Sequence, residues 1–90
     1  MEVKFGKRFQ KDIDIINDAD IITAIHSVIL EVEKAKDIRQ IKIYKKLKKS
    51  KTAFAIRIGV YRMGIYIENN VVEFSRFLPR NKIYKFFPYK

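Results

Sequence analysis

The sequence predicts an α+β domain: a short N-terminal strand, a two-helix hairpin, then an antiparallel β-meander packed on the helices. Three observations carry this. Apolar residues recur at helical spacing through residue 36 and alternate from residue 53 onward. Two short turn signals, Gly59-Val60 and Asn69-Asn70, separate the alternating runs. Both prolines, Pro79 and Pro88, fall near the end, and there is no repeat and no flexible linker. With 90 residues and 48% hydrophobic content, one domain over 1–90 is expected.

Val3 and Phe5 alternate with Glu2, Lys4 and Gly6, as in a short strand. Residues 7–17 place Phe9, Ile13 and Ile16 at helical spacing. Asn17-Asp18-Ala19-Asp20 breaks this helix, and Asp20 is the expected N-cap of the next. That second helix runs from about Ile21 to Lys36, with Ile22, Ile25, Ile29 and Val32 on one face. Lys34 and Lys36 near its end suit the helix dipole. Residues 37–52 connect, and strands are expected at Ala53–Ile58, Tyr61–Ile67 and Val71–Phe77. A short segment at Lys82–Phe87 closes the order.

Lys and Arg number 20 against 10 Asp and Glu, a net charge of +10 that points to an anionic partner. The excess is not spread evenly. Residues 1–40 hold seven basic and eight acidic side chains, residues 41–90 thirteen basic and two acidic. The first part therefore reads as scaffold and the second as the electrostatic surface. There is no cysteine, which excludes disulfides, thiolate metal sites and cysteine nucleophiles. A single histidine, His26, cannot build a histidine metal site, and its place inside the second helix fits a packing or surface role. Asp12, Asp14, Asp18 and Asp20 lack the pattern of a calcium loop and read as solubilising and capping residues. Neither a metal nor a cofactor is expected. The apolar runs are too short to span a membrane, and the opening Met1–Phe5 lacks a signal-peptide core, so a cytoplasmic protein is expected.

Register sharpens the charge. Gly59 at the first position of a two-residue turn suits type II′ geometry. That turn pairs Ile58 with Tyr61, Arg57 with Arg62, Ile56 with Met63, Ala55 with Gly64 and Phe54 with Ile65. Phe54, Ile56, Ile58, Tyr61, Met63 and Ile65 then share the helix-facing side, while Arg57 and Arg62 face each other on the opposite side. Opposed like charges destabilise a strand pair, so the arginines are either ordinary solvated residues or the two sides of an anion site. Asn69-Asn70 suits a type I′ turn pairing Glu68 with Val71. Counting onward places Ser75 opposite Gly64 and Phe77 opposite Arg62. Ala55, Gly64 and Ser75 would then line a shallow trough open to a nucleic-acid strand. The same count sends Arg76 toward the core, so Arg76 is either buried and paired or a bulge resets the register.

The run Leu47–Arg62, then Val71–Arg80, then Lys82-Ile83-Tyr84, resembles the RelE/ParE superfamily of toxins from type II toxin–antitoxin pairs. Val3-Lys4-Phe5 and Val32–Ala35 are similar too, so the resemblance covers nearly the whole chain and implies a RelE-like microbial RNase fold. It implies an endoribonuclease of the RelE branch, cutting mRNA in the ribosomal A site, with basic residues and a tyrosine in place of the usual histidines. The matching positions are Arg57, Arg62, Arg80 and Tyr84. The implied partners are a cognate antitoxin, the ribosome and mRNA. Ala55 departs from the pattern, because many members carry Lys or Arg there.

Cleavage of this kind requires the ribose 2′-OH to lose a proton and attack the adjacent phosphate, with the phosphorane stabilised and the 5′-oxygen protonated. Arg57 and Arg62 suit charge stabilisation, Arg80 the leaving side, and Tyr84 proton exchange or orientation of the 2′-OH. Lys45, Lys46, Lys48, Lys49 and Lys51, with Arg76, Lys82 and Phe86, are the expected RNA and ribosome contacts; a solvated face is the blander reading of the lysine run, and its density just before the arginine strand favours phosphate contact. Phe86, Phe87 and Tyr89 either stack on bases, pack on the domain or dock the antitoxin. Two other classes stay open: a ParE-like inhibitor of DNA gyrase, which cleaves nothing, and a non-catalytic RNA-binding module.

Overall fold

A computed structural model describes residues 1–88. Strand β1 (Glu2–Phe5) leads into helices α1 (Lys7–Asp14) and α2 (Ala19–Lys34). A short 3-10 turn at Ile38–Gln40 precedes β2 (Lys45–Lys46), β3 (Ala53–Ile58), β4 (Tyr61–Glu68) and β5 (Val71–Pro79), and α3 (Ile83–Phe86) follows. The sheet order is β1-β5-β4-β3-β2. The three long strands form the predicted antiparallel meander, while β1 runs parallel to β5 at one edge. The fold class is therefore the α+β arrangement expected, with one strand, β2, that the sequence did not announce. No helix of the described residues is long and apolar enough to cross a membrane.

Turn chemistry explains the meander. Gly59 has φ +58°, and Val60 does not share the positive φ, so only the glycine occupies the left-handed region, as type II′ geometry requires. Asn69 and Asn70 both have positive φ, 52° and 62°, the type I′ signature. The β3–β4 register then follows residue for residue: Arg57 opposite Arg62, Ile56 opposite Met63, Ala55 opposite Gly64.

Side-chain alternation gives the sheet two unlike faces. The face toward α1 and α2 carries Phe54, Ile56, Ile58, Met63, Ile65, Val72, Phe74 and Phe77, packed with Phe9, Ile25 and Val32. The opposite face carries Ala53 and Ala55, covered by Leu47, Ile83 and Phe87 with Tyr66 and Leu78 at the margin.

Four sequence expectations are corrected. The first helix ends at Asp14, short of residue 17. Asp18, not Asp20, caps α2, its carboxylate accepting from the N–H groups of Asp20 and Ile21 at 2.9 and 3.3 Å. The helix begins two residues early as a result, and Ile21, Ile25, Val28, Ile29 and Val32 face the main core. A β-bulge at Ser75 shifts the β4–β5 register, so Gly64 faces Arg76, Met63 faces Phe77 and Arg62 faces Leu78. The bulge resets Arg76 and also leaves it paired: its guanidinium grips Asp12 of α1 at 2.8 and 3.1 Å, and the Phe77 N–H donates to the same carboxylate at 2.9 Å. β1 ends beside Phe74, so the edge of β5 beyond it is free for Asp12 to cap. Lastly, the trough over Ala55 and Gly64 is filled. Phe87 lies on Gly64 so closely that a Cβ there would stand 2.8 Å from its ring.

Candidate functional site

The hairpin end of β3 and β4 collects the charge. Arg57 is exposed and stands directly across from Arg62 on the face away from the large helices. Arg62 is only 5% exposed. One terminal nitrogen of its guanidinium donates to the carbonyls of Gly59 and Tyr61, at 3.1 and 2.8 Å, so the turn itself holds the fork. Among the described residues no carboxylate makes an ion pair with Arg57 or Arg62. Two cations thus share one face with carbonyl oxygens and aromatic rings as company, an arrangement that an incoming anion would stabilise.

The aromatic company is Tyr44 and Tyr84. Tyr44 leads into β2, its N–H donating to the Ala55 carbonyl at 2.9 Å. Its ring centroid lies 4.7 Å from the Arg62 guanidinium carbon and 6.0 Å from that of Arg57, within cation–π range. Tyr84 projects from α3 toward Arg62. Partial burial pushes its phenol pKa above the ordinary value against the opposing pull of the Arg62 charge, and the nearby Tyr44 pushes the same way as burial. The shift favours the protonated phenol further into the alkaline range. Lys45, the strand partner of Ala55, places its Nζ 4.9 Å from the Tyr84 ring centroid.

Arg80 is exposed just past β5, and its N–H donates to the Val60 carbonyl at 2.8 Å. The four residues singled out as catalytic therefore lie around one hairpin turn: Arg57 and Arg62 by register, Tyr84 by its coupling to Arg62, Arg80 by its backbone bond to Val60. The other basic residues divide. Lys48, Lys49 and Lys51 are exposed in the loop before β3, ordered by the Ser50 hydroxyl, which accepts from the N–H groups of Thr52 and Ala53. A strand rises about 3.3 Å per residue, so Lys51 sits roughly 20 Å from Arg57 at the far end of β3. Lys46 crosses to the helix-facing side, over Phe54. Lys82 is exposed at the start of α3, and Phe86 is exposed with the Arg76 guanidinium 5.5 Å from its ring centroid. Arg76 is occupied by Asp12, one of the aspartates read from the sequence as solubilising and capping residues. Phe87 is buried, His26 is exposed on α2, and Tyr89 lies outside the described residues.

The sequence reading missed Tyr44. The available signal was an aromatic at the head of a lysine run, out of step with Ile41 and Ile43, which turn toward the main core. A cavity of about 620 Å³ adjoins this tyrosine, lined also by Lys42, Ile43, Ile56, Arg57 and Glu31.

No family model matches the chain. The chain is 34% identical over 89 residues to Toxin RelE3 of Methanocaldococcus jannaschii, an alignment covering 98% of this chain and 100% of that protein. Its fold is similar to a chain in the crystal structure of the RelB–RelE antitoxin–toxin complex from Methanococcus jannaschii, with TM-score 0.78, 31% identity, and coverage of 94% of this chain and 99% of that one. A chain of the E. coli DinJ–YafQ toxin–antitoxin complex shares the fold at TM-score 0.62 and 9% identity, covering 97% of each chain.

Proposed function

Because the chain belongs to the RelE family, toxins of type II toxin–antitoxin pairs, we propose that it is a ribosome-dependent endoribonuclease that cuts mRNA in the A site, restrained by a cognate antitoxin. The observation that supports this most is the facing pair Arg57 and Arg62, with no carboxylate paired to either among the described residues and Tyr84 alongside.

In the proposed reaction the ribose 2′-oxygen bonds to phosphorus and the bond to the 5′-oxygen breaks, leaving a 2′,3′-cyclic phosphate. The 2′-OH proton passes to water. Arg57 and Arg62 stabilise the negative charge of the phosphorane, and neither gives up a proton, since a guanidinium stays charged. Tyr84, protonated at neutral pH like any phenol, donates to the departing 5′-oxygen and is reprotonated from water. Arg80 balances charge on the leaving side. Lys45 brings its ammonium beside Tyr84 from the strand paired with Ala55, which compensates for the basic residue that RelE-like members often carry at the Ala55 position. Lys46, Lys48, Lys49, Lys51, Lys82 and Phe86 serve docking to ribosomal RNA, with Arg76 braced by Asp12 beneath Phe86. Such modest groups depend on the ribosome to align the mRNA, which is catalysis by positioning. The cytoplasm is where this substrate is found.

The test is induction of the protein in cells followed by mapping of mRNA 5′ ends. Cuts inside ribosome-bound codons, lost in Arg57→Ala, are expected. Arg57 is the cleaner probe, because Arg62 is built into the turn. Intact mRNA with a DNA-damage response would overturn the reading in favour of gyrase inhibition.

A further inference from the structure

We propose that Tyr44 is a stacking platform for an unpaired nucleobase next to the phosphate held by Arg57 and Arg62. The proposal rests on the reading that this site takes RNA, and it adds a contact to the base where the arginines address only the phosphate. Three observations converge on it.

First, the ring is fixed. Its backbone is tied to β3 through Ala55, and the Arg62 guanidinium lies 4.7 Å from the ring centroid. Arg62 is in turn pinned by the turn carbonyls, so the ring rests on a rigid support. Second, the ring is not used up. Tyr44 remains 50% exposed, so part of its ring is open to a further contact. A base laid on it would extend the guanidinium–phenol pair into a three-layer stack, with the cation below strengthening it. Third, there is room of the right character. The adjoining cavity of about 620 Å³ lies between α2 and residues 41–44, with apolar walls from Val28, Val32, Ile43 and Ile56 on the helix-facing side, and Tyr44, Lys42 and Arg57 also line it. The cations fit the phosphates on either side of the base. Glu31, also in the lining, repels phosphate and can accept from an exocyclic amino group, which orients the base inward and the backbone outward.

The probes are a 2′-O-methyl adenosine hexanucleotide, which has no free 2′-OH and so cannot be cut, and an abasic 2′-O-methyl oligomer of equal length and charge. Binding to the intact protein is measured by fluorescence anisotropy at fixed low salt. The wild type is expected to prefer the base-bearing strand about tenfold. Tyr44→Leu should bring the ratio close to one while the affinity for the abasic strand stays the same. Tyr44→Phe should retain the preference, and thermal melting checks that both variants fold. A preference that survives Tyr44→Leu overturns the proposal. So does an equal loss for both strands, which would mean the ring only holds Arg62, and so does failure of the wild type to bind either strand. Weakened capture of the antitoxin with both strands unaffected also overturns it, giving the ring to the protein partner. A collapsed ratio in a protein that leaves cellular mRNA intact supports the platform while removing the nuclease reading, so the two stand or fall separately.

Discussion

The two faces of the sheet are built to different standards. The face toward α1 and α2 is sealed by large side chains, with Phe9, Phe74, Met63 and Ile65 excluded from solvent. The opposite face is sealed over part of its area only. Leu47, Ile83 and Phe87 cover the alanines of β3, and beyond them the hairpin end is left to arginines and tyrosines. One face stabilises the molecule by burying volume. The other uses a thin apolar layer and places a like-charged pair, exposed Arg57 and turn-bound Arg62, on its hairpin end. Substitutions should therefore separate stability from activity according to face.

The largest effect is expected at Phe74. Phe74→Ala empties a fully buried site in the main core and should lower stability by about 3–5 kcal/mol in urea unfolding. The folded fraction should still bind anions normally, and a loss of anion binding beyond the loss of fold would break the distinction between faces. Next comes Gly64→Ala, where the new Cβ would stand 2.8 Å from the Phe87 ring. Overpacking of this kind costs about 1–3 kcal/mol. Because the ring it displaces anchors α3, mRNA cleavage should fall further than stability alone explains. Phe87→Leu in the same chain should recover part of both, read as a double-mutant cycle.

A smaller change of opposite sign is expected at Arg57. Arg57→Thr removes a like charge facing Arg62 and should leave stability unchanged or raise it by about 0.2–1 kcal/mol, while abolishing cleavage. A clear drop in stability would show that the pair is held by something other than an awaited anion. The smallest effect concerns pH. The Tyr84 pKa is raised in the folded protein, so the fold binds this proton more tightly than the unfolded chain. Its stabilising contribution is complete below the unfolded phenol value, about 10, and is lost as pH rises through the higher folded value. The difference between wild-type and Tyr84→Phe melting curves should be flat at neutral pH and change only in that alkaline window.

What could be read from the sequence tracks the range of the interactions involved. The β3–β4 register was legible because Gly59-Val60 permits few turn geometries, and a two-residue turn fixes every later pair. The bulge at Ser75 was not, because its partner is Asp12, which reaches Arg76 and Phe77 from 64 and 65 residues away. Alternation alone carries no trace of such a contact. The filled trough failed for a similar reason. Small residues at 55 and 64 mark a close approach, and the sequence leaves open whether a nucleic-acid strand or the chain's own Phe87 approaches. The helix cap was misplaced by two residues because Asp18 and Asp20 are chemically equal candidates. At the site, Arg57 and Arg62 could be placed by counting from a turn, whereas Tyr44 lies in a connecting segment with no turn to count from, and only its break in step with Ile41 and Ile43 marks it.

The turn at Gly59-Val60 has one more implication. Its two carbonyls reach two separate basic residues, Gly59 to the Arg62 side chain and Val60 to the Arg80 backbone. Surface hairpin loops are usually where a chain accepts added residues freely. This one is a ruler. Lengthening it by even a residue would leave β3 and β4 able to pair, yet would part the charges whose spacing the loop sets. Related chains that keep the activity should thus vary in length at the lysine loop before β3 more readily than at this turn.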